Sequence, residues 1–335
     1  MQRITSFPVL IITLINSTDI RTYRMSIVVE APGFIQVFSD GSVKRFSPQT
    51  AAASPISTGG YQSKDVTIDA SKPITARIFR PHDDDHVSEM PVLVYFHGGG
   101  FCIGSTTWLG YHIFLGNLAV TAKTIVYSVD YRMAPENKLP TAYEDCYSAL
   151  EWLSTSKADD PWLQNADLSR VFLCGDSAGG NIAHHVAIKA IENRVHGVTV
   201  KGLVLIHPFF GSERRTELEL AEGSGAEVAM NDMFWRLSLP EGADRDFYGC
   251  NFEKGEVAAA GYNWSLFSAV LVFVSGLDFL KERGVMYVEF LKKAGVSEVK
   301  LIEAEGEVHV FHVWFPESEA TFMLQKQITD FIRSL

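Results

Sequence analysis

Short runs of apolar, β-prone residues recur along this chain at 74–81, 91–98, 124–132, 170–175, 200–208, 269–276 and 299–306. Several, such as "PVLVYF" and "AVLVFV", lack the polar alternation of a half-exposed strand. That is the pattern of strands covered on both faces. Helical patterns lie between most of them, including "YEDCYSALEWLS" at 143–154 and "LKERGVMYVEFLKKAG" at 280–295. Buried strands alternating with helices restrict the chain to a doubly wound α/β architecture: a mostly parallel central sheet flanked by helices. A length of 335 residues fits one large domain of this kind.

Two stretches break the alternation. Residues 25–60 carry Gly33, Gly41, Pro48, Pro55 and the pair Gly59–Gly60, and read as an irregular lead. Residues 211–262 contain "SERRTELELAEG" and "VAMNDMFWRLSLPEGAD", a helical excursion between two strands. Both are expected to form a helical cap over the C-terminal edge of the sheet, where ligands bind in open α/β folds. The expected organisation is one domain over 25–335 with these two cap segments. Residues 1–24 are expected to be a non-core extension. Their apolar run "FPVLIITLI" is too short to span a bilayer and lacks a small-x-small cleavage site. Met25 then opens a stretch that already resembles the start of a folded protein.

Charge and cysteine usage exclude some function classes. With 29 Lys and Arg against 40 Asp and Glu, the net charge is −11, so no excess of cations exists to neutralise a phosphate backbone. No nucleic-acid partner is expected, and no membrane span. The run "HDDDH" at 82–86 reads as a solvated loop rather than a metal site. Cys102, Cys146, Cys174 and Cys250 lack metal-ligand spacing and sit among apolar or small neighbours. They are expected to be buried free thiols, which suits a reducing compartment, and the expected location is the cytoplasm.

The chemistry is carried by a few short motifs. "GDSAG" at 175–179 matches G-x-S-x-G and lies between the strand "RVFLC" and a helical pattern. A serine on such a tight strand-to-helix turn is exposed at the helix N-terminus, and small neighbours let strand and helix approach. The same five residues could also be an ordinary turn. "HGGG" at 97–100 ends another strand and offers consecutive backbone N–H groups that can face an oxyanion, with the N–H of Ala178 as a further donor. His97 itself is expected to organise this loop. A base and its orienting acid should follow in the order Ser, Asp, His. Asp278 stands just beyond a buried strand, where it could orient a histidine or cap the next helix. His309 and His312 follow the last strand, and His309 is preferred because it lies nearer the strand exit. His184 and His185, behind Ser177, are expected to be structural.

Together these motifs resemble a known family. "VYFHGGGFCIGS", "YSVDYRMAPENKLPTAYEDC", "GDSAGGNIAHH", "LIHPFFGSERRT", "FWRLSLPEGADRD", "DFLKERG" and "HVFH" are similar to the plant carboxylesterases of the hormone-sensitive-lipase-like branch of the α/β hydrolases. The likeness runs from about Gly33 to the C-terminus. It implies the α/β-hydrolase fold, a catalytic Ser177, Asp278 and His309, and an oxyanion hole of Gly99, Gly100 and Ala178. It implies no metal and no cofactor. Met133 stands where the family usually has Leu, and Asp278 follows "SGL" where a charged residue often precedes the acid. Neither departure removes a catalytic group.

The expected activity is hydrolysis of a small to medium apolar or aromatic ester through an acyl-enzyme, by a monomer or homodimer acting on a small-molecule ester. Phe101, Trp108, Phe209, Phe210, Phe234 and Trp235 are the expected pocket walls, being the bulky residues nearest the oxyanion loop or the cap in sequence. The resemblance leaves alternatives open. Relatives include a dehydratase and eliminating or cyclising lyases of plant specialised metabolism, whose proton abstraction uses the same base. Gibberellin-type hormone receptors share the fold without the catalytic histidine, which is present here, and a strigolactone-type hydrolase is a further variant.

Overall fold

The computed structural model describes residues 25–57, 59–82, 89–255, 263–267 and 269–335. The extension at 1–24, most of the acidic run at 82–86 and the end of the 211–262 excursion lie outside the described residues. The lead forms a small antiparallel sheet of β1 (Ile27–Ala31), β2 (Ile35–Phe38) and β3 (Val43–Arg45). This corrects the expectation of helix in the N-terminal part of the cap. Gly33 and Gly41, at φ of +78° and +84°, turn the chain between strands too short to register as periodic apolar runs.

The main sheet follows: β4 (Tyr61–Asp69), β5 (Ile74–Pro81), β6 (Met90–Phe96), then α1 (Leu109–Ala122) and β7 (Ile125–Asp130). After α2 (Thr141–Ser156) come β8 (Ala166–Asp176), α3 (Ala178–Asn193) and β9 (Val200–Ile206). The cap helices α4 (Glu217–Leu220) and α5 (Gly225–Ser238) precede β10 (Ala269–Ser275), α6 (Lys281–Ala294) and β11 (Val299–Ala304). Two helices close the chain, α7 (Phe311–Trp314) and α8 (Glu319–Ser334). The strands pair in the order β11-β10-β9-β8-β6-β7-β5-β4. Pairing is parallel from β11 to β7 and antiparallel at β7–β5 and β5–β4. Every strand expected from the sequence is present. β4 escapes notice because "YQSKDVTID" is an edge strand with a polar, half-exposed pattern.

Burial explains the continuous apolar strands. Val92 to Phe96 of β6 and Val171 to Cys174 of β8 are all buried, since helices cover both faces. The order also positions the site. From β6 the chain runs to β7 on one side and then returns to β8 on the other, so the loops after β6 and β8 open a crevice at the strand C-termini. "HGGG" and Ser177 are those two loops.

The cap is fastened by charge-assisted bonds. Arg283 of α6 makes a two-pronged pair with Glu219 of α4, at 2.8 Å through each of Nε and Nη2, and also donates to the Arg214 carbonyl at 2.7 Å. Thr216 and Glu219 close a capping box at the start of α4, so one carboxylate serves both the helix terminus and the ion pair. On the other side, Arg45 of β3 donates to the carbonyls of Cys102 and Ala134 and pairs with Glu136. That docks the N-terminal sheet beside the oxyanion loop.

Candidate active site

Ser177 sits between β8 and α3 at φ +50° and ψ −117°, a conformation that costs about 1–3 kcal/mol for a residue with a Cβ. Its neighbours hold it there. The Ser177 N–H donates to Ile206 O at 2.8 Å, and its carbonyl accepts from Phe209 at 2.9 Å. The flanking glycines are required by space. A Cβ on Gly179 would lie 1.8 Å from Phe96 O, and one on Gly175 would lie 2.3 Å from the Gly179 backbone. The crossing of β8, α3 and β6 is therefore closed to any side chain at either position.

Beside Ser177 runs a chain of hydrogen bonds. The Ser177 hydroxyl donates to His309 Nε2 at 3.0 Å, and His309 Nδ1–H donates to Asp278 Oδ2 at 2.6 Å. Asp278 is buried, and its other oxygen accepts the Leu280 N–H at 2.9 Å. Burial raises the Asp278 pKa, but His309 and its hydrogen bond outweigh burial and leave it below the ordinary carboxylate value. Burial likewise lowers His309, and the Asp278 charge and hydrogen bond overcome it, helped by Asp176 and Glu227, so the imidazole lies above its ordinary value. Asp278 stays ionised while His309 can hold a proton taken from serine.

The oxyanion loop lies opposite. Gly99 and Gly100 take φ of +102° and +57°, and a Cβ on Gly100 would meet the Phe234 ring at 2.6 Å. No described residue supplies an acceptor for the N–H groups of Gly99, Gly100 or Ala178. His97 organises this loop, as expected from its position. Its Nδ1–H donates to Gly98 O at 2.8 Å, and its ring stacks on Tyr131 at 4.4 Å.

Two residues singled out by no sequence argument complete the frame. Asp176, buried, accepts from Tyr95 Oη at 2.7 Å, Tyr111 Oη at 2.9 Å and the Gly98 N–H at 3.0 Å. Burial raises its pKa, and the two tyrosine hydroxyls and nearby histidines oppose that rise. It ties the serine turn to the oxyanion loop across two adjacent strands. His207 follows β9 at φ +48°. Its Nδ1 accepts the Val310 N–H at 2.9 Å and its Nε2–H faces Ser275 Oγ at 2.8 Å. Burial, with a smaller contribution from His309, pushes its pKa down to about 3, so the ring is neutral and its Nδ1 lone pair remains available. His207, Asp278 and His309 bring ligand-type atoms within 4.8 Å of one another, but each of those atoms already has a hydrogen-bond partner.

The site opens into a cavity of about 270 Å³ lined by Gly99, Gly100, Ser177, His309 and mostly apolar side chains. Trp108, Phe209 and Phe234 line it as expected. Phe101, Phe210 and Trp235 do not. Trp235 stacks flat on Phe209 at 4.4 Å, Phe101 packs against both, and Phe210 faces Tyr287 at 4.8 Å. They stand behind the wall because one face of each element turns to the cavity and the adjacent residue faces the core. Phe34 of the lead and Trp314 of α7, 6.2 Å apart, line the cavity instead, as do Glu227, Met230 and Asn231 of α5. The spacing of these α5 residues, with Phe234, is that of one helix face. His184, His185 and His312 are buried scaffold. His184 bonds Tyr287 at 2.8 Å, His185 stacks on Tyr143 at 4.3 Å, and His312 packs on Phe114 at 4.6 Å.

A serine on a strained strand-to-helix turn, joined to a histidine and an aspartate from later strands beside free backbone N–H groups, defines a serine hydrolase built on an α/β sheet. A family model described as "alpha/beta hydrolase fold" matches residues 93–313. The chain is 37% identical to probable carboxylesterase 6 of Arabidopsis thaliana, over 86% of this chain and 85% of that one. It is 35% identical to tuliposide A-converting enzyme 1 of Tulipa gesneriana, over 92% of this chain and 78% of that one. A solved esterase of Pyrobaculum calidifontis superposes with a TM-score of 0.68 at 31% identity, over 82% of this chain and 85% of that one. The chain belongs to the α/β-hydrolase fold family and, within it, to the branch that holds the plant carboxylesterases.

Proposed function

We propose that the protein is a serine carboxylesterase acting on small to medium esters with an apolar or aromatic part. Ser177 attacks the ester carbonyl while His309 takes its proton, and Asp278 holds the imidazole tautomer and stabilises the imidazolium. The N–H groups of Gly99, Gly100 and Ala178 stabilise the tetrahedral oxyanion, each worth about 2.7–4 kcal/mol in comparable sites. His309 then returns its proton to the leaving alcohol and activates water to release the acyl group. The observation that carries this reading is the Ser177–His309–Asp278 chain at 3.0 and 2.6 Å, set in an apolar cavity beside unpaired backbone donors. Relatives named as carboxylesterases support it.

The four cysteines are free and buried, which supports a cytoplasmic, reducing location. No helix among the described residues is long and apolar enough to cross a membrane. The proposed working form is a monomer or homodimer on a small-molecule ester, with no nucleic-acid partner, in keeping with the charge of −11. The test is hydrolysis of p-nitrophenyl acetate, butyrate and octanoate by the wild type and Ser177→Ala. The wild type should turn over at least one, and Ser177→Ala should lose on the order of 10⁶ in kcat. Folded wild type inactive on all three refutes the esterase reading. Turnover that survives Ser177→Ala would transfer the site to elimination chemistry.

A further inference from the structure

The mouth of the cavity carries a charge that its apolar interior does not. Glu227 of α5 lines the cavity and is exposed, as are Met230 of α5 and Trp314 of α7, so these side chains stand where the cavity meets solvent. Elsewhere in the cap, Glu219 pairs with Arg283, and Asp232 pairs with Arg215 and Arg245. Glu227 has no ion-pair or hydrogen-bond partner among the described residues. No Lys or Arg among the described residues lines the cavity to balance it. Its carboxylate acts on the reacting centre, being one of the charges that raise His309. The cavity also carries a contiguous group of aromatic rings. Trp314 lies 6.2 Å from Phe34 and 6.5 Å from Trp108, and all three line the cavity. An unpaired carboxylate and aromatic rings attract the same kind of group, a cation.

We propose that the mouth selects esters by charge: Glu227 and Trp314 receive an ammonium group on the arm of the ester that leads out from Ser177, and turn away a carboxylate there. A cation gains from both partners. A neutral arm gains apolar contact alone, and an anion meets Glu227 as a like charge. Burying a cation would be costly, but Glu227, Met230 and Trp314 are exposed, so the ammonium keeps part of its water. A quaternary ammonium suits the place, because its methyl groups meet the apolar side chains while its charge faces the carboxylate. The helix sets the reach. Phe234 stands against Gly100 of the oxyanion loop, and Glu227 lies seven residues earlier, a rise of about 10.5 Å along α5. That distance corresponds to about eight bonds of extended chain between the ester carbonyl carbon and the nitrogen.

This inference rests on Ser177 being the nucleophile of an esterase, so p-nitrophenyl butyrate is assayed first. A folded wild type inactive on it sinks the esterase reading, and the charge test is read only on an active enzyme. That test compares three butyrates by acid release: 6-(trimethylammonio)hexyl, 7,7-dimethyloctyl and 6-carboxyhexyl butyrate. They share the acyl group and the spacer and differ in the charge at its end. In kcat/KM the wild type should turn over the ammonium ester faster than the carboxylate ester. Glu227→Gln, which keeps the shape and removes the charge, should lower the ammonium-to-neutral ratio about fivefold, the upper end for one solvated ion pair. Trp314→Leu should lower the same ratio in part. Sodium chloride at about 0.5 M should lower it in the wild type and leave it unchanged in Glu227→Gln, because salt screens an exposed charge. Each ratio is read within one variant, so a general loss of activity cancels, and both substitutions are at exposed positions. A ratio that Glu227→Gln leaves unchanged overturns the proposal. So does a wild type that turns over the carboxylate ester as fast as the ammonium ester.

Discussion

His207 is an informative place to perturb the site, because it touches neither substrate nor Ser177. Its Nδ1 accepts the N–H of Val310, the residue that follows His309 and adopts φ +47°. Replacing His207 by Leu leaves that donor and the Ser275 hydroxyl without their partner. Each lost bond to a buried group costs about 1–3 kcal/mol. The Val310 share acts on the loop that aligns His309 with Ser177. If the loop relaxes by that amount in the transition state, kcat falls about 5- to 150-fold, since 1.36 kcal/mol is tenfold. KM should stay near the wild-type value, because His207 does not line the cavity. Asn places its oxygen close to where Nδ1 stood and tolerates a positive φ well. Gln places its oxygen nearer Nε2 and so keeps Ser275 but not Val310. The expected order in kcat is wild type, then Asn, then Gln and Leu together. Thermal melting is measured alongside, since backbone strain at φ +48° lowers stability in Gln and Leu alike without setting the order of kcat. Equal kcat in Asn and Leu, or a lower melting temperature with kcat unchanged in Leu, would refute the positioning role.

Two further outcomes follow from the electrostatics. His309 is active as a base only when neutral, and its pKa lies above the ordinary 6.5. The acid limb of kcat/KM should therefore have its midpoint above pH 6.5, with activity falling as pH drops through it. In Asp278→Asn the main force raising His309 is gone and burial remains, so the limb should move below pH 6.5 while kcat falls about 10⁴-fold; steady-state pH profiles read both. Away from the reaction, Arg283→Met removes both prongs of its pair with the buried Glu219 and leaves Arg215, 3.8 Å away, as the remaining cation, which should lower unfolding stability by about 3 kcal/mol, the low end for breaking a buried pair, in urea titration. Adding Glu219→Leu should recover most of the loss.

What could be read directly from the chain are features in which a local requirement forces a local residue choice. β6, β8 and β10 are covered on both faces, so their strands are uninterrupted apolar runs. The crossing at Gly175 and Gly179 has no room for a Cβ, so only glycine stands there, and Ser177 is marked by its neighbours. The chain order Ser177, Asp278, His309 follows from successive strands ending on one edge of the sheet. These requirements act over a few residues and leave a signature of the same length.

The rest depends on which distant segments meet. Phe34 and Trp314 share a cavity wall although 280 positions separate them, and neither neighbourhood hints at the other. Phe209 and Phe210 are adjacent and chemically identical, yet one faces the cavity and the other Tyr287, because only the packed fold decides which way each side chain points. Asp176 and His207 look unremarkable in sequence. Their roles come from bonds to Tyr95, Tyr111 and Gly98, and to Val310, which β6, α1 and the loop after β11 deliver. The reacting groups are thus written in the chain. The frame that aligns them, and the cavity wall that Glu227, Met230, Asn231 and Phe234 build, exist only once α5 and the N-terminal sheet have closed over the strand ends.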